Sequence, residues 1–335
     1  MKNTYLGIDI GSLDIKFAVC SENRIKELVI ERLPDNIIRD GNIVSWEVMT
    51  DFIKEVIKKH RIRCKYAAVI LPESNTYVRR IMMPYMTLDQ LKFNLPYEFH
   101  DFITDEKDKY FYDYAVLDVV EEENNGNKSK SLDLMAAAVS KEIIERYRHM
   151  FKRCGLKLKV AAPESSAYQN IVKKHLELVR SDKPGDYAIL NIGHDAVCLW
   201  IFTEGKYETG RKIELGLGGV TNVIAEALGI DKHIAEIYQQ INQNNVMYSE
   251  ECMSIYAQIA WEVMRVINFF TYNHPNNTLD TLYCCGGGAK IEPLMKTLDE
   301  TVDLKVKGLH ELFENLTDNE DAMILGAAAV GITWN

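Results

Sequence analysis

The chain has 335 residues, 47% hydrophobic and 26% charged, the proportions of a globular protein and not of a fibrous or disordered one. At about 150 residues per domain this length predicts two domains, each able to bury its own core. The formal net charge is −10; acids concentrated in residues 98–123 leave the rest close to neutral with no dense Lys/Arg cluster, which excludes nucleic acid as a partner.

The opening MKNTYLGIDIG holds no apolar run long enough for a signal peptide, and no stretch reaches the ~18 apolar residues of a membrane span. Residues 5–11 (Tyr-Leu-Gly-Ile-Asp-Ile-Gly) read as a short strand ending at a glycine turn, with a second strand over 14–20. Strands follow at 66–71, 78–83 and 132–139, and the polar run 121–131 reads as a mobile hairpin tip. The segment 76–140 is richer in strand pattern and acid than its surroundings and reads as an inserted subdomain. A helix over 141–154 gathers Ile143, Ile144, Tyr147, Met150, Phe151 and Cys154 on one face, and Gly155 caps it. A strand at 156–161 and a helix at 165–180 complete the first half. The turn at 183–186 predicts a boundary between halves at 1–183 and 184–335.

Residues 187–193 (Tyr-Ala-Ile-Leu-Asn-Ile-Gly) then repeat the opening motif, with a second strand over 196–202. Helices are expected near 218–228, 231–243 and 249–273. Next come a strand at 281–285, the triple glycine Gly286, Gly287 and Gly288, a helix at 292–299, a strand at 304–306 and a last helix from about Asn319. Alternating strands and helices argue α/β, and a hairpin recurring once per half argues a duplicated fold with a ligand between the halves. The seven cysteines form no C-x-x-C pair. That argues against a zinc ribbon and for buried thiols in a reducing compartment.

In Gly7-Ile-Asp-Ile-Gly-Ser12, Gly11 permits a tight turn whose backbone N–H groups can face one anion. Ser12 adds a hydroxyl, Asp9 could hold magnesium through water, and Lys16 could reach a phosphate. A purely structural hairpin turn accounts for this motif equally well. The triple glycine would let a flat ring or ribose approach the backbone, and it is neither a Walker loop nor G-x-G-x-x-G.

Taken together, the two hairpins and the triple glycine resemble the actin, sugar kinase and heat-shock ATPase superfamily. Within it the chain is similar to the PilM family of type IV pilus assembly proteins, relatives of the division protein FtsA. The residues carrying this are Gly7 to Lys16, Leu71-Pro72, Ile81 to Pro84, Leu91, Glu98, Asp113-Tyr114, Ala136 to Val139, Gly155-Leu156, Glu164 to Ala167, Ile213 to Gly219, Ile224 to Gly229 and Ala235-Glu236, spanning residues 4–332. The resemblance implies a duplicated actin-like, ribonuclease H-like α/β fold around an ATP cleft, with an FtsA-like subdomain inserted in the first half. It implies ATP and Mg²⁺ as ligands. Asp9, Gly11, Ser12, Leu13 and Lys16 would line the phosphates and metal, with Asn191, Gly193, Gly218 and Gly219 closing the other side. Glu236 would face the ribose or base, and Gly286, Gly287 and Gly288 would back the adenine and sugar. Glu164 would lie near the attacking water, beside Asp9 as the second catalytic candidate; as a plain helix N-terminal carboxylate it needs no such role.

This chain departs from the family pattern at four places. Asn191 stands where an aspartate is usual, His194 where a small residue is, Ala196 where a hydroxyl is, and Gln239 where a lysine follows Ala-Glu. Each weakens an anion or metal site, so nucleotide binding with slow or no hydrolysis is expected. The implied partner is the short cytoplasmic tail of a bitopic membrane assembly protein. That would place the chain in the cytoplasm, peripheral to the inner face of the membrane, without inserting into it; self-association is compatible. The partner surface is expected on the insert. There Tyr97, Phe99, Phe102, Tyr110, Phe111 and Tyr112, with Asp105, Glu106 and Asp108, would suit a basic and apolar tail, or form a small core beneath a solvated acidic face. An FtsA-like division protein ends in a basic amphipathic helix, whereas the helix expected over 321–330 is followed here by five residues, none basic, so the pilus branch is favoured. The pattern also admits a small-molecule kinase, which needs a base in the second half, and a scaffold that binds no nucleotide.

Overall fold

The computed structural model describes residues 4–21, 24–39, 41–124, 127–180, 185–313 and 328–333. The first half opens with β1 (Thr4–Ile10), β2 (Asp14–Ser21) and β3 (Arg24–Arg32), a meander of antiparallel strands. A small ribbon, β4 (Ile38–Arg39) and β5 (Asn42–Ile43), leads to helix α1 (Trp46–Lys59). Ser45 caps α1, its hydroxyl accepting from the Val48 amide. Strand β6 (Tyr66–Leu71) runs parallel to β1.

The insert comes next: β7 (Thr76–Pro84), helix α2 (Leu88–Asn94), β8 (Tyr110–Asn124) and β9 (Asn127–Ser140). These strands form a sheet of their own in the order β7-β9-β8. The polar run 121–131 is mostly paired strand, with Glu121 opposite Lys130 and Asn124 opposite Asn127; its residues 125–126 lie outside the described residues. Helix α3 (Lys141–Arg153), strand β10 (Lys157–Pro163) and helix α4 (Glu164–Val179) return the chain to the first sheet, whose order is β10-β6-β1-β2-β3. Gly155 turns between α3 and β10 at φ 77°, a conformation glycine adopts without strain.

The second half repeats this plan. Strands β11 (Tyr187–Ile192), β12 (Val197–Thr203) and β13 (Lys206–Ile213) form the meander. Helices α5 (Leu217–Leu228), α6 (Lys232–Ile241) and α7 (Glu250–Asn273) follow, then β14 (Thr281–Cys285), helix α8 (Glu292–Thr301) and β15 (Lys305–Gly308). The sheet order β13-β12-β11-β14-β15 reproduces that of the first half strand for strand. The duplication inferred from two seven-residue motifs is therefore a duplication of the whole sheet.

Packing follows from which faces are apolar. Helices α1 and α3 cover the outer face of the first sheet, where Met49, Ile53, Tyr147 and Phe151 meet Leu6, Ile8 and Phe17. Helices α5, α7 and α8 cover the outer face of the second. A third cluster joins the inner faces: Ala68 and Ile70 of the first sheet, Ile189, Trp200 and Phe202 of the second, Tyr168 and Ile171 of α4, and Ala328 to Ile332. Residues 328–331 are helical and approach β1 so closely that a Cβ on Gly7 would lie 2.0 Å from the Ala329 carbonyl oxygen. They belong to this shared core although they come from the end of the second half. The rest of the helix expected from Asn319, and the boundary expected at 183–184, lie outside the described residues. The insert has its own small core, in which Phe99 and Leu134 are fully buried. All seven cysteines are free thiols.

Candidate functional site

Each half ends its first hairpin in the same turn. The Gly11 amide donates to the Asp14 carbonyl at 3.0 Å, and the Gly193 amide donates to the Ala196 carbonyl at 3.0 Å. The two turns face each other across a cleft of about 990 Å³. Its walls include Asp9, Gly11, Ser12, Leu13, Lys16, Glu164, Asn191, Gly193, Glu236, Gly286 and Gly287. The structure thus brings eleven of the fourteen expected positions to one cavity.

Gly218, Gly219 and Gly288 are not on its walls. The reason for the first two is local hydrogen bonding. The Leu217 amide donates to Gly193 O at 3.0 Å, Gly218 to His194 O at 2.8 Å and Gly219 to Gly216 O at 3.0 Å. The hairpin carbonyls thereby occupy donors at the start of α5 that a helix N-terminus would offer an anion. Gly288 is buried against β11, where a Cβ would fall 2.2 Å from Ile192 Cγ2. Its role is close packing of the turn after β14. Gly286, at φ 83°, does reach the wall.

The floor of the cleft is a polar cluster. Lys16 Nζ lies 2.9 Å from Asp9 Oδ2, across the β1–β2 pair. Burial works against the Lys16 ammonium, but Asp9, with Glu164 and Asp14 behind it, holds its pKa above the ordinary lysine value. Glu164 sits at the first position of α4, where β10 ends at Pro163. Its Oε1 accepts from Asn191 Nδ2 at 2.7 Å and from the Tyr168 hydroxyl at 3.0 Å. Burial, reinforced by the Asp9 charge, pushes the Glu164 carboxyl up to about 8. In the second hairpin the position equivalent to Lys16 is Cys198, paired with Asn191 as Lys16 is with Asp9. The cluster is therefore asymmetric: one half supplies an ion pair, the other an amide and a thiol whose pKa burial raises.

Two side-chain bridges cross the cleft. The Ser12 hydroxyl donates to Asp195 Oδ2 at 2.5 Å. The Arg32 guanidinium pairs with Glu236. His194 lies on the wall beside Asp195, and burial lowers its pKa, so near neutral pH it is mainly uncharged. Among the four departures, Gln239 accepts from the Thr221 hydroxyl at 2.6 Å and lines the wall with Ala196.

Sequence reasoning missed Arg32, Glu73, Asp195, Lys212 and Lys290, all on the walls. Asp195 was available from the repeat, since it takes Leu13's place when the two hairpins are aligned. Arg32 comes from β3, which the sequence pattern had not marked. In all, eight carboxylates and four lysine or arginine cations line the cleft. A polyphosphate would enter this acidic cavity only with a cation to offset the repulsion.

The family model for the type IV pilus assembly protein PilM matches residues 7–324. The chain belongs to the PilM family. A solved structure described as the PilM-PilN type IV pilus biogenesis complex superposes with a TM-score of 0.81 at 19% identity, covering 98% of this chain and 97% of that one. The ethanolamine utilization protein EutJ from Carboxydothermus hydrogenoformans gives 0.62 at 14% identity, covering 99% and 89%. MreB 5 of Spiroplasma citri, bound to AMPPNP, gives 0.57 at 12% identity, covering 99% and 95%. At these identities the structures establish the fold. It is the actin-like ATPase fold that the paired hairpins implied, with the segment between β6 and α3 forming a separate three-stranded sheet.

Proposed function

We propose that the chain binds Mg·ATP in the cleft as a structural ligand, hydrolyses it slowly or not at all, and captures the cytoplasmic tail of a bitopic membrane protein of a pilus assembly. The observation carrying the nucleotide part is the pair of matched turns around the Asp9–Lys16–Glu164–Asn191 cluster. Among the described residues, the amides of Ser12, Leu13, His194 and Asp195 have no backbone acceptor, which leaves them as phosphate donors. No group of three metal-ligating side chains occurs among the described residues. The cluster thus suits a magnesium ion held mainly by phosphate oxygens and water, with Asp9 orienting that water. The ion would offset the acidic walls; Lys16 would contact phosphate, and Glu164 would hold a proton at the cleft floor. With Asn191 in place of a carboxylate, the second half brings no charge to the metal at the position that matches Asp9. Replacing Asn191 by aspartate is expected to raise ATP turnover above wild type, measured as phosphate release. Wild-type turnover near the ~10 s⁻¹ median of enzymes would contradict this account.

For the partner, a second cavity of about 460 Å³ runs between β8 of the insert and β10 with α3. Strands β8 and β10 are each at the edge of their sheet, so an extended tail could pair with either backbone. Ala115, Ala137, Ala161 and Met135 give it an apolar floor, and its charged groups are Asp113, Arg148 and Lys159. This groove favours a partner chemistry different from the one expected of the acidic surface. Asp105, Glu106 and Asp108 are exposed and line neither cavity, and of the six aromatics only Phe111 and Tyr112 reach this groove. Phe99, Tyr110 and Tyr112 pack into the core of the insert. A predominantly apolar tail is therefore the better fit, and a relative has been solved as a PilM-PilN complex. Ala137→Trp, checked by its melting curve, should abolish binding of such a peptide, whereas charge reversal at Asp105, Glu106 and Asp108 should leave it unchanged. The opposite pattern would move the partner site to the acidic surface. No helix among the described residues is long and apolar enough to cross a membrane; localisation at the inner face would come through the partner.

A further inference from the structure

Basic residues that lie far apart in the sequence, those of the basic run 58–65 among them, are brought by the fold to one end of the first sheet. At the end of the first sheet opposite the cleft, β3, β6 and β10 begin and helix α3 ends. Arg24 and Lys26 come from the start of β3, Arg63 and Lys65 from the approach to β6, Lys152 and Arg153 from the last turn of α3, and Lys157 and Lys159 from β10. All eight are exposed. The approach to β6 and the start of β10 lie side by side: the Lys157 amide donates to the Lys65 carbonyl at 2.8 Å, and Lys159 Nζ sits 5.3 Å from the Tyr66 ring, while β3 with Arg24 and Lys26 forms the opposite edge of the same sheet. Among the described residues only Arg153 of the eight has an ion-pair partner, Glu47 at 4.0 Å. The exposed acids near these cations are Glu27 and, beside Arg153, Glu47 and Asp51. On a protein of net charge −10 these exposed cations make a local positive field that attracts anions.

We propose that this surface rests on the anionic headgroups of the membrane in which the tail's owner is anchored. The choice of lipid over other anions rests on the tail reading above. Lys159 belongs both to the patch and to the groove, so the groove's β10 wall leads into the cations. A tail seated there, leading toward its own membrane span, would bring this end of the sheet to the bilayer. Arrays of four to eight Lys or Arg beside an anionic leaflet each add attraction over about one Debye length. The surface has no apolar helix to insert, so contact is electrostatic and reversible, and it would set the orientation in which the cleft end points away from the membrane.

The test is flotation of the full chain with vesicles of phosphatidylglycerol in phosphatidylcholine, against vesicles of pure phosphatidylcholine. The proposal expects binding to the first and not the second, weakening as salt rises. The triple variant Arg63→Gln, Lys65→Gln, Lys157→Gln touches no groove or cleft residue and should lower partitioning by about a hundredfold. Lys296→Gln with Lys305→Gln, exposed cations of the second half, should change nothing. Failure of the wild type to float at low salt, equal binding to neutral vesicles, or an unaffected triple variant would overturn the proposal. So would retention on duplex DNA or polyphosphate with none on the anionic vesicles. Titration of an apolar tail peptide separates the two readings. If the peptide binds and vesicles do not, the patch has no membrane role and the partner assignment stands. If vesicles bind and the peptide does not, the partner assignment falls and the lipid contact stands on its own.

Discussion

Glu164 shows how a single position is set by its surroundings. In the unfolded chain its carboxyl titrates near its ordinary value of 4.5, whereas burial in the folded cleft holds it to about 8. The folded state therefore keeps a proton that the unfolded chain releases. The associated stability is complete below about pH 4.5 and is lost as pH rises through about 8. Glu164→Gln should remove this slope in the metal-free protein, seen as urea midpoints that change less between about pH 5 and about pH 8 than those of wild type. An identical slope in the variant would assign the pH dependence elsewhere. Residues of this kind were only partly legible. Asp9, Gly11 and Lys16 stand in a motif whose strand–turn–strand pattern gives each a position. Nothing in the sequence tells that Asn191 would donate to Glu164, 27 residues earlier, because that contact depends on β11 lying beside the start of α4.

At the scale of elements, the glycines after β14 divide by geometry. A methyl on Gly288 would strike the Ile192 side chain at 2.2 Å, in a core with no room to yield. Gly288→Ala should cost about 1–3 kcal/mol by overpacking, read from the denaturant midpoint. Gly287→Ala, whose nearest contact would be an ordinary 3.6 Å to Leu217, should be close to neutral in stability. The reverse order would mean that β11 and the turn after β14 pack differently. Apolar runs ending in glycine, or in Pro72 after β6, made β1, β6, β11 and β14 visible from the sequence, because buried parallel strands read as continuous hydrophobic stretches. The edge strand β3 was not visible. It is exposed along much of one side and lacks a clean alternation. Helix α1 was also missed, since Val48, Thr50, Ile53, Val56 and Ile57 give it a β-branched composition that offsets its helical period.

At the scale of the whole molecule, the insert is tied to the second half as well as to the first. Arg80 of β7 pairs with the nearly buried Asp133 of β9 at 2.6 Å and reaches across to Glu208 of β13. Lys206, also on β13, pairs with Asp118 of β8. Arg80→Met should destabilise by roughly 3 kcal/mol, because Asp133 would be left as a buried unpaired charge. Adding Asp133→Leu should recover most of that loss, and a double variant as unstable as the single would show that the cost lies in packing. None of these pairs could be read from the sequence, since each joins residues whose proximity is a product of the assembled halves. Duplication itself could be read, because both halves kept the same turn. The central claim is that the cleft between them takes Mg·ATP, and calorimetric titration of the full chain with Mg·ATP tests it most directly. The account predicts one saturable site per chain, lost in Asp9→Ala and accompanied by a higher melting temperature. Flat heats up to millimolar Mg·ATP with an unchanged melting curve would contradict it.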